Sequence, residues 1–367
     1  MADGFERDVY CVLGLPIDAV DLKTAVKMVR EAALRRERCF FSTPNLNILL
    51  ACLEDENFRD SVIASDLVIA DGMPLVWISK LLGIPIRERV AGSGMFERLR
   101  DEAAANIKVF FFGGKEGMAE IACRRLNADS FGLTGVGFET PGFGSIEDMS
   151  SESTIAKINS SSADFLLVSL AARKAQAWLE RNRGRITVPV IGNLGATLNF
   201  AAGTVNRAPE WMQNYGLEWV WRIKEEPALW RRYASDGLSL IALFVFKVAP
   251  YAWFLYLNRA AKKGAIEASF EISEVGNELA VRLHGTLGKG TISPLRDCFS
   301  AIAGAKKGCS IDFSEVSYVD SAFIGILQLL HNHQKKLGKP MRSMGLTPRV
   351  RRIFRYSCAE YLLQAQE

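Results

Sequence analysis

Val109–Leu126 reads VFFFGGKEGMAEIACRRL. Its first four residues are apolar without alternation, two glycines then turn the chain, and from Met118 the apolar positions recur at helical spacing. A continuous apolar strand leading at once into a helix is one βα unit of a parallel sheet covered on both faces. The same order recurs through residues 1–204. Apolar runs at Arg38–Ser42, Leu67–Ala70, Phe165–Ser169 and Val188–Ile191 lead into helical stretches at Leu46–Leu53, Leu75–Leu82, Ala175–Arg181 and Ala196–Ala201. Alternating β and α predicts a Rossmann-like α/β domain with a parallel sheet. Ligands of such sheets sit off the carboxyl ends of the strands, so the loops that follow them hold the candidate site.

Beyond residue 204 the character changes. Residues 205–263 open with a tail that carries Trp211, Trp219, Trp221 and Trp230 among Arg207, Arg222, Arg231 and Arg232. There follows LSLIALFVFKVAPYAWFLYL, residues 238–257, close to the ~20 residues that cross a bilayer. Lys247 and Pro250 interrupt it, and both flanks are basic: Arg231 and Arg232 before, Arg259, Lys262 and Lys263 after. Basic flanks on both sides favour the cytoplasmic face. The segment is therefore expected to enter one leaflet and return as a kinked hairpin. Residues 264–367 read as a small third α/β unit. Two strands flank Gly276-Asn277, and helices and strands then alternate to a last helix opened by a Thr347-Pro348 cap.

Composition excludes several classes. With 49% hydrophobic and 23% charged residues among 367, the chain is globular rather than disordered. A net charge of +4, from 45 basic against 41 acidic residues, lacks the concentrated excess of a nucleic-acid binder, and no nucleic-acid partner is expected. Seven cysteines lie scattered without a C-x-x-C pair, which argues against a disulfide framework or zinc site and for a reducing compartment. The opening MADGFERDVY has no apolar run of the secretory-signal kind, so no such signal is expected. The three histidines, His284, His331 and His333, all fall in the last quarter, and no D-x-D occurs. Chemistry in the first unit is thus expected to use no histidine base and no histidine-ligated metal. The missing D-x-D removes one common way of holding a metal beside a pyrophosphate, and no cofactor is expected. His331 and His333 themselves read as a solvated helix face.

Four loops could carry chemistry. In FFSTPNLNILL, Thr43 reads as a helix N-cap and Pro44 as the first helical residue, leaving N–H groups free for a phosphate or sugar oxygen, or simply capped. In LVIADGMPLVW, Asp71 ends a strand and could serve as a general base, although Asp-Gly is also an ordinary turn pair. In IRERVAGSG, Arg87 and Arg89 precede a glycine-rich turn and could clamp a pyrophosphate. Gly113 and Gly114 form an anion-friendly turn that matches neither the P-loop nor G-x-G-x-x-G, which also disfavours a dehydrogenase.

Taken in order, TPNLNIL, IADGMPLVW, RVAGSG, FFGGKEG, GNLGATLNFAAGTVNRAPEWMQNYGLEWVWR and EPALWRRY resemble glycosyltransferase family 26, the WecG/TagA/CpsF group, over about residues 8–235. The resemblance implies a membrane-associated, inverting, metal-independent transferase. It would move a sugar from a UDP-sugar to a polyprenyl-diphosphate-linked acceptor at the cytoplasmic membrane face, in extracellular or capsular polysaccharide synthesis. By position it implies Asp71 as general base and Arg89 against phosphate charge. Thr43 and Asn45 would fall on the acceptor side and Asn199 near the donor. Arg222, Arg231 and Arg232 would fold over the site at the membrane and offset charge on the leaving UDP, and Gly113, Gly114 and Arg207 are further candidate substrate contacts. Three segments depart from the family pattern. Ala171-Ala172-Arg173-Lys174-Ala175-Gln176 replaces G-x-P-[KR]-Q-E, Gly94 stands for an Asp, and Leu198-Asn199-Phe200 replaces F-D-F. They imply either a donor other than the usual N-acetylmannosamine type or, alternatively, an inactive scaffold.

IDFSEVSYVDSAFIGILQLLHNHQKKLG and MGLTPRVRRIFRYS resemble a STAS domain across residues 267–363. In regulatory members a Ser or Thr at the start of the helix is phosphorylated. Here that position is Ala322, which implies a protein-binding module without the phosphorylation switch.

Overall fold

The computed structural model describes residues 4–103, 106–142, 144–258 and 268–364. Arg259, Lys262, Lys263 and the expected boundary at 263/264 lie outside the described residues. The first unit is a six-stranded sheet of β3 (Cys39–Ser42), β4 (Leu67–Val68), β5 (Ile107–Gly113), β6 (Leu133–Glu139), β7 (Phe165–Ser169) and β8 (Val190–Asn193). The order is β4-β3-β8-β7-β5-β6 and every pairing is parallel. The continuous apolar runs are buried on both faces, as in Phe110–Phe112 and Phe165–Val168. Phe112 stacks on the buried Trp178 of the helix Ala172–Asn182, with ring centroids 4.2 Å apart. The sheet of β9 (Ser269–Val275), β10 (Glu278–Leu287), β11 (Gly308–Val319) and β12 (Met341–Met344) is mixed, with only β9 antiparallel to its neighbour. The α/β class and the small second sheet are as the sequence pattern predicts.

An element that the pattern did not signal joins the two units. The N-terminal hairpin of β1 (Val9–Val12) and β2 (Leu15–Asp18) is buried along its whole length. Its two-residue turn, Leu13-Gly14, has positive φ at both positions (48° and 90°), the conformation that tight hairpins use. A Cβ on Gly14 would lie 2.8 Å from the Cys358 carbonyl oxygen, so glycine is required for the backbones to meet. The tip is held from the second unit: Gln328 Nε2 donates to Gly14 O at 2.6 Å, and Tyr361 Oη donates to the same oxygen at 3.1 Å. Gly325, on the same helix Ser321–Lys336, leaves room for the Val9 carbonyl, which a Cβ would meet at 2.8 Å. The other side of the hairpin is tied to the large sheet. Asp18, 4% exposed, takes a bidentate pair from Arg7 (3.0 and 2.6 Å) and the N–H of Val68 at 2.6 Å.

One hydrophobic cluster therefore runs from β1 and β2 through the helices of the first unit and into the STAS-like unit. It explains why His331 is not the solvated residue expected. It is 5% exposed beside Tyr361, with centroids 5.7 Å apart, and burial pushes its pKa down to about 4. His333 lies between Phe5 and the Ala303 carbonyl.

The apolar segment also differs from expectation. Residues 230–257 form one continuous helix, α-helical at Trp230–Leu243, π-helical at Phe244–Val248 and α-helical again at Ala249–Leu257. There is no hairpin. Pro250 has no N–H to give and its ring would crowd a normal preceding turn. The wide π turn just before it absorbs both defects, so the axis continues. Asn47 of the helix Leu46–Glu54 donates to Asp236 at 3.3 Å near one end. Near the other, Tyr251 and Phe254 pack on Tyr356 of the helix Pro348–Tyr356, and Lys247 Nζ donates to Arg355 O at 3.1 Å. Leu243, Val248, Tyr251 and Phe254 are buried, while Leu238, Ile241, Phe246, Trp253, Tyr256 and Leu257 are between 57% and 73% exposed.

Candidate active site

Asp71 sits three residues past β4, where the carboxyl end of the sheet opens. Its N–H donates to Pro44 O at 2.9 Å, pinning it beside the loop that ends β3. In that loop the helix starts two residues later than expected. Asn45, not Thr43, is the N-cap, with Oδ1 accepting from Ile48 N at 3.1 Å. Thr43 continues the line of β3 and is buried at 8% exposed. Gly72 runs beside the same loop, where a Cβ would lie at an ordinary contact distance of 3.4 Å from Asn45 Cα. Thr43, Asn45 and Asp71 are thus brought together.

The Asp71 carboxylate accepts from Gly92 N at 3.3 Å, at the first turn of the helix Gly92–Asp101, where backbone N–H groups lack partners of their own. Arg89 Nε lies 3.6 Å from Asp71 Oδ1, and Arg89 Nη2 lies 2.6 Å from Glu218 Oε2. One guanidinium therefore serves two carboxylates. Burial pushes the Asp71 pKa up to about 7; Arg89 pulls it back, and Glu218 pushes it further up. A carboxylate whose pKa stands near neutrality is poised to accept a proton from a hydroxyl. Arg87, by contrast, faces solvent.

The glycine turn lies across the sheet. Gly113 and Gly114 have φ of 99° and 82°, and Gly114 N donates to Ser169 O at 2.8 Å. A Cβ on Gly114 would meet Leu198 Cδ2 at 2.3 Å, which places the Leu198-Asn199-Phe200 segment directly beside the turn. Four strand spacings separate β4 from β5, roughly 20 Å. Gly113, Gly114 and Asn199 therefore face a different part of the crevice from Asp71.

The tail joins the two ends. Arg222 lies over the Phe200 ring at 5.8 Å, and its charge also lowers the Asp71 pKa. Arg207 pairs with Glu97, and its Nη2 lies 3.2 Å from where a Cβ on Gly94 would be, so an aspartate in place of Gly94 would have to share that space. Arg231 and Arg232 are not drawn into this cluster. Both are exposed, against Trp230 (5.7 Å) and Tyr233 (5.1 Å) respectively. In the altered segment, Arg173 bridges to Glu54 and Asp55 and Gln176 donates to Ser42 Oγ at 3.0 Å. Those side chains are held by structural contacts.

Glu218 and Asn193 went unread in the sequence. Glu218 lay within the GLEWVWR motif that carries the resemblance, so the signal was present. Asn193 closes β8 at the carboxyl edge, with a buried Oδ1 that has no hydrogen-bond partner among the described residues.

Comparison with known proteins identifies the family. Residues 10–253 match the glycosyl transferase WecG/TagA/CpsF family, and residues 270–364 match a STAS domain of the MlaB kind. Among similar proteins are three described as N-acetylglucosaminyldiphosphoundecaprenol N-acetyl-β-D-mannosaminyltransferase. The one from Bacillus spizizenii is 28% identical over 197 residues, 53% of this chain and 75% of that protein. That from Bacillus subtilis is 26% identical over 208 residues, covering 56% and 78%. That from Staphylococcus aureus is 22% identical over 241 residues, covering 65% and 91%. With two-thirds of its length matched and its ionisable cluster placed where a parallel sheet presents ligands, the chain belongs to the WecG/TagA/CpsF glycosyltransferase family and carries a C-terminal STAS domain.

Proposed function

We propose that the protein transfers a sugar from a UDP-sugar to a sugar linked to a polyprenyl diphosphate, with inversion at the anomeric carbon. The acceptor hydroxyl oxygen attacks that carbon, the bond to UDP oxygen breaks, and UDP leaves with the electron pair. Asp71 takes the hydroxyl proton. The observation that carries this reading is the Asp71 carboxyl, raised to about 7 by burial and set between Gly92 N–H and Arg89. Relatives whose names specify a diphosphoundecaprenol-linked acceptor support the lipid-linked class.

Roles follow from position. Thr43 and Asn45 line the Asp71 end and would meet the acceptor; Gly113, Gly114, Asn193 and Asn199 lie toward the donor. Arg89 is engaged by Asp71 and Glu218, so its first task is to orient the base. Arg207 and Arg222 are the tail arginines set to offset charge on the departing UDP. Arg231 and Arg232 lie on the long helix and would serve at the membrane. That helix supports association with the cytoplasmic membrane face, lying in the interface rather than crossing it. Its inner face is packed on both units, and the charged neighbours Asp236 and Arg355 would otherwise enter lipid. The reaction places the protein in cell-surface polysaccharide assembly.

A panel of UDP-sugars, each offered with a polyprenyl-diphosphate-linked N-acetylglucosamine, tests the reading through UDP release. One donor should release UDP only when the acceptor is present. Absence of release across the panel, with the donor still bound, would favour a scaffold.

A further inference from the structure

Near its C-terminal end the STAS domain carries PRVRRIFRY, its last α-helix among the described residues, Pro348–Tyr356. Val350, Ile353 and Phe354 are buried, while Arg349, Arg351, Arg352 and Arg355 are exposed. None of the four forms an ion pair among the described residues. Arg36, Arg173, Arg181 and Arg342, also exposed, each pair with a carboxylate, whereas Arg87, Arg231 and Arg232 do not among the described residues; what sets this helix apart is four such arginines within about two turns. Four uncompensated charges on a two-turn helix repel one another, so the cluster lacks a counter-charge that the fold does not supply.

Its neighbour indicates where that counter-charge lies. The arginine helix packs on the second half of the long apolar helix through Tyr356 against Tyr251 and Phe254, at 5.9 and 6.1 Å. Arg352 lies over Phe254 at 5.9 Å. Lys247, the lone cation of the apolar segment, donates to the Arg355 carbonyl and adds its charge at the same end. The outer face of the apolar helix shows Phe246 and a stacked Trp253–Tyr256 pair, with centroids 5.9 Å apart. Apolar and aromatic side chains flanked by unpaired arginines match the layers of an anionic bilayer, with acyl chains below and phosphates at the level of the basic groups. An acidic protein surface would satisfy the arginines but not the adjoining aromatic ridge.

We infer that Arg349, Arg351, Arg352 and Arg355 bind the phosphate headgroups of anionic phospholipids, so that the STAS domain is part of the membrane-binding face. This rests on the membrane reading of the long helix given above. It gives the STAS domain a lipid partner through its last helix, while the helix Ser321–Lys336 is occupied by the chain's own N-terminal hairpin.

The test is co-sedimentation of the full chain with vesicles of phosphatidylcholine alone or mixed with phosphatidylglycerol, at low and high salt. The wild type should prefer the mixed vesicles, and salt should remove the preference. The variant R349Q/R351Q/R352Q/R355Q should lose it, by about fivefold for each arginine that reaches the headgroups. Its binding to phosphatidylcholine and its melting temperature should be unchanged. Trp253→Ser should weaken binding to both vesicles. A quadruple variant that keeps the wild-type preference overturns the arginine assignment and leaves the membrane reading standing. A wild type without preference for phosphatidylglycerol also overturns it and points to an acidic protein partner. A wild type that binds neither vesicle overturns both.

Discussion

Replacing Asp71 by Asn should separate activity from stability, because the same burial that makes the carboxylate a base makes it costly to keep ionised. Its pKa stands at about 7 against an ordinary 3.8. Above pH 7 the folded chain must hold a charge that burial opposes, whereas below about pH 3 the group is neutral folded and unfolded alike. The contribution to stability is therefore negative at high pH and vanishes as pH falls. The full shift corresponds to ~4 kcal/mol. The side chain keeps 26% of its surface exposed, so screening reduces the penalty to about 1–3 kcal/mol. Asp71→Asn removes it and leaves Arg89 paired with Glu218. Urea denaturation near pH 8 should show the variant more stable by that amount, and near pH 3 the two chains should coincide. Acceptor-dependent UDP release should fall about 10²–10⁴-fold while UDP-sugar binding stays near wild type. A variant with full turnover refutes the base assignment. One that is less stable near pH 8 refutes the burial argument.

Neighbouring charges should move the acid limb of the rate profile in opposite directions. Glu218→Gln lowers the pH at which activity rises, and Arg89→Ala raises it, both read from kcat/KM against pH. Asp18→Asn leaves Arg7 without its carboxylate in a buried site and should cost about 3–5 kcal/mol in urea denaturation. Gly325→Val drives a side chain into the Val9 carbonyl and should cost about 1–3 kcal/mol. Amide exchange at residues 9–18 should rise in that variant before it rises in β5 or β7.

The sheet was legible because buried parallel strands read as unbroken apolar runs, and Phe165–Ser169 needed no adjustment. The N-terminal hairpin was not, since Leu13-Gly14 is no standard turn signal and the hairpin packs on residues more than 300 positions away. The misreading of His331 has the same origin: a helix face looks solvated until the segment that covers it is known. Asp71 and Arg89 stood out as types at strand ends, but their sharing of Glu218 depends on how the tail folds back. Taken singly, Lys247 reads as a charge out of place in an apolar segment and Pro250 as a kink. A π turn and the Arg355 carbonyl accommodate them, and neither is visible in local sequence.

With Asp71 as its base, the chain should make a glycosidic bond on a lipid-linked acceptor, and mass spectrometry of the acceptor after incubation with the donor that passes the UDP-release panel reads that bond itself. The wild type should add one sugar mass to the acceptor for each UDP released, and Asp71→Asn should add almost none. UDP released with no gain in acceptor mass, or equal product from Asp71→Asn, would contradict the proposal.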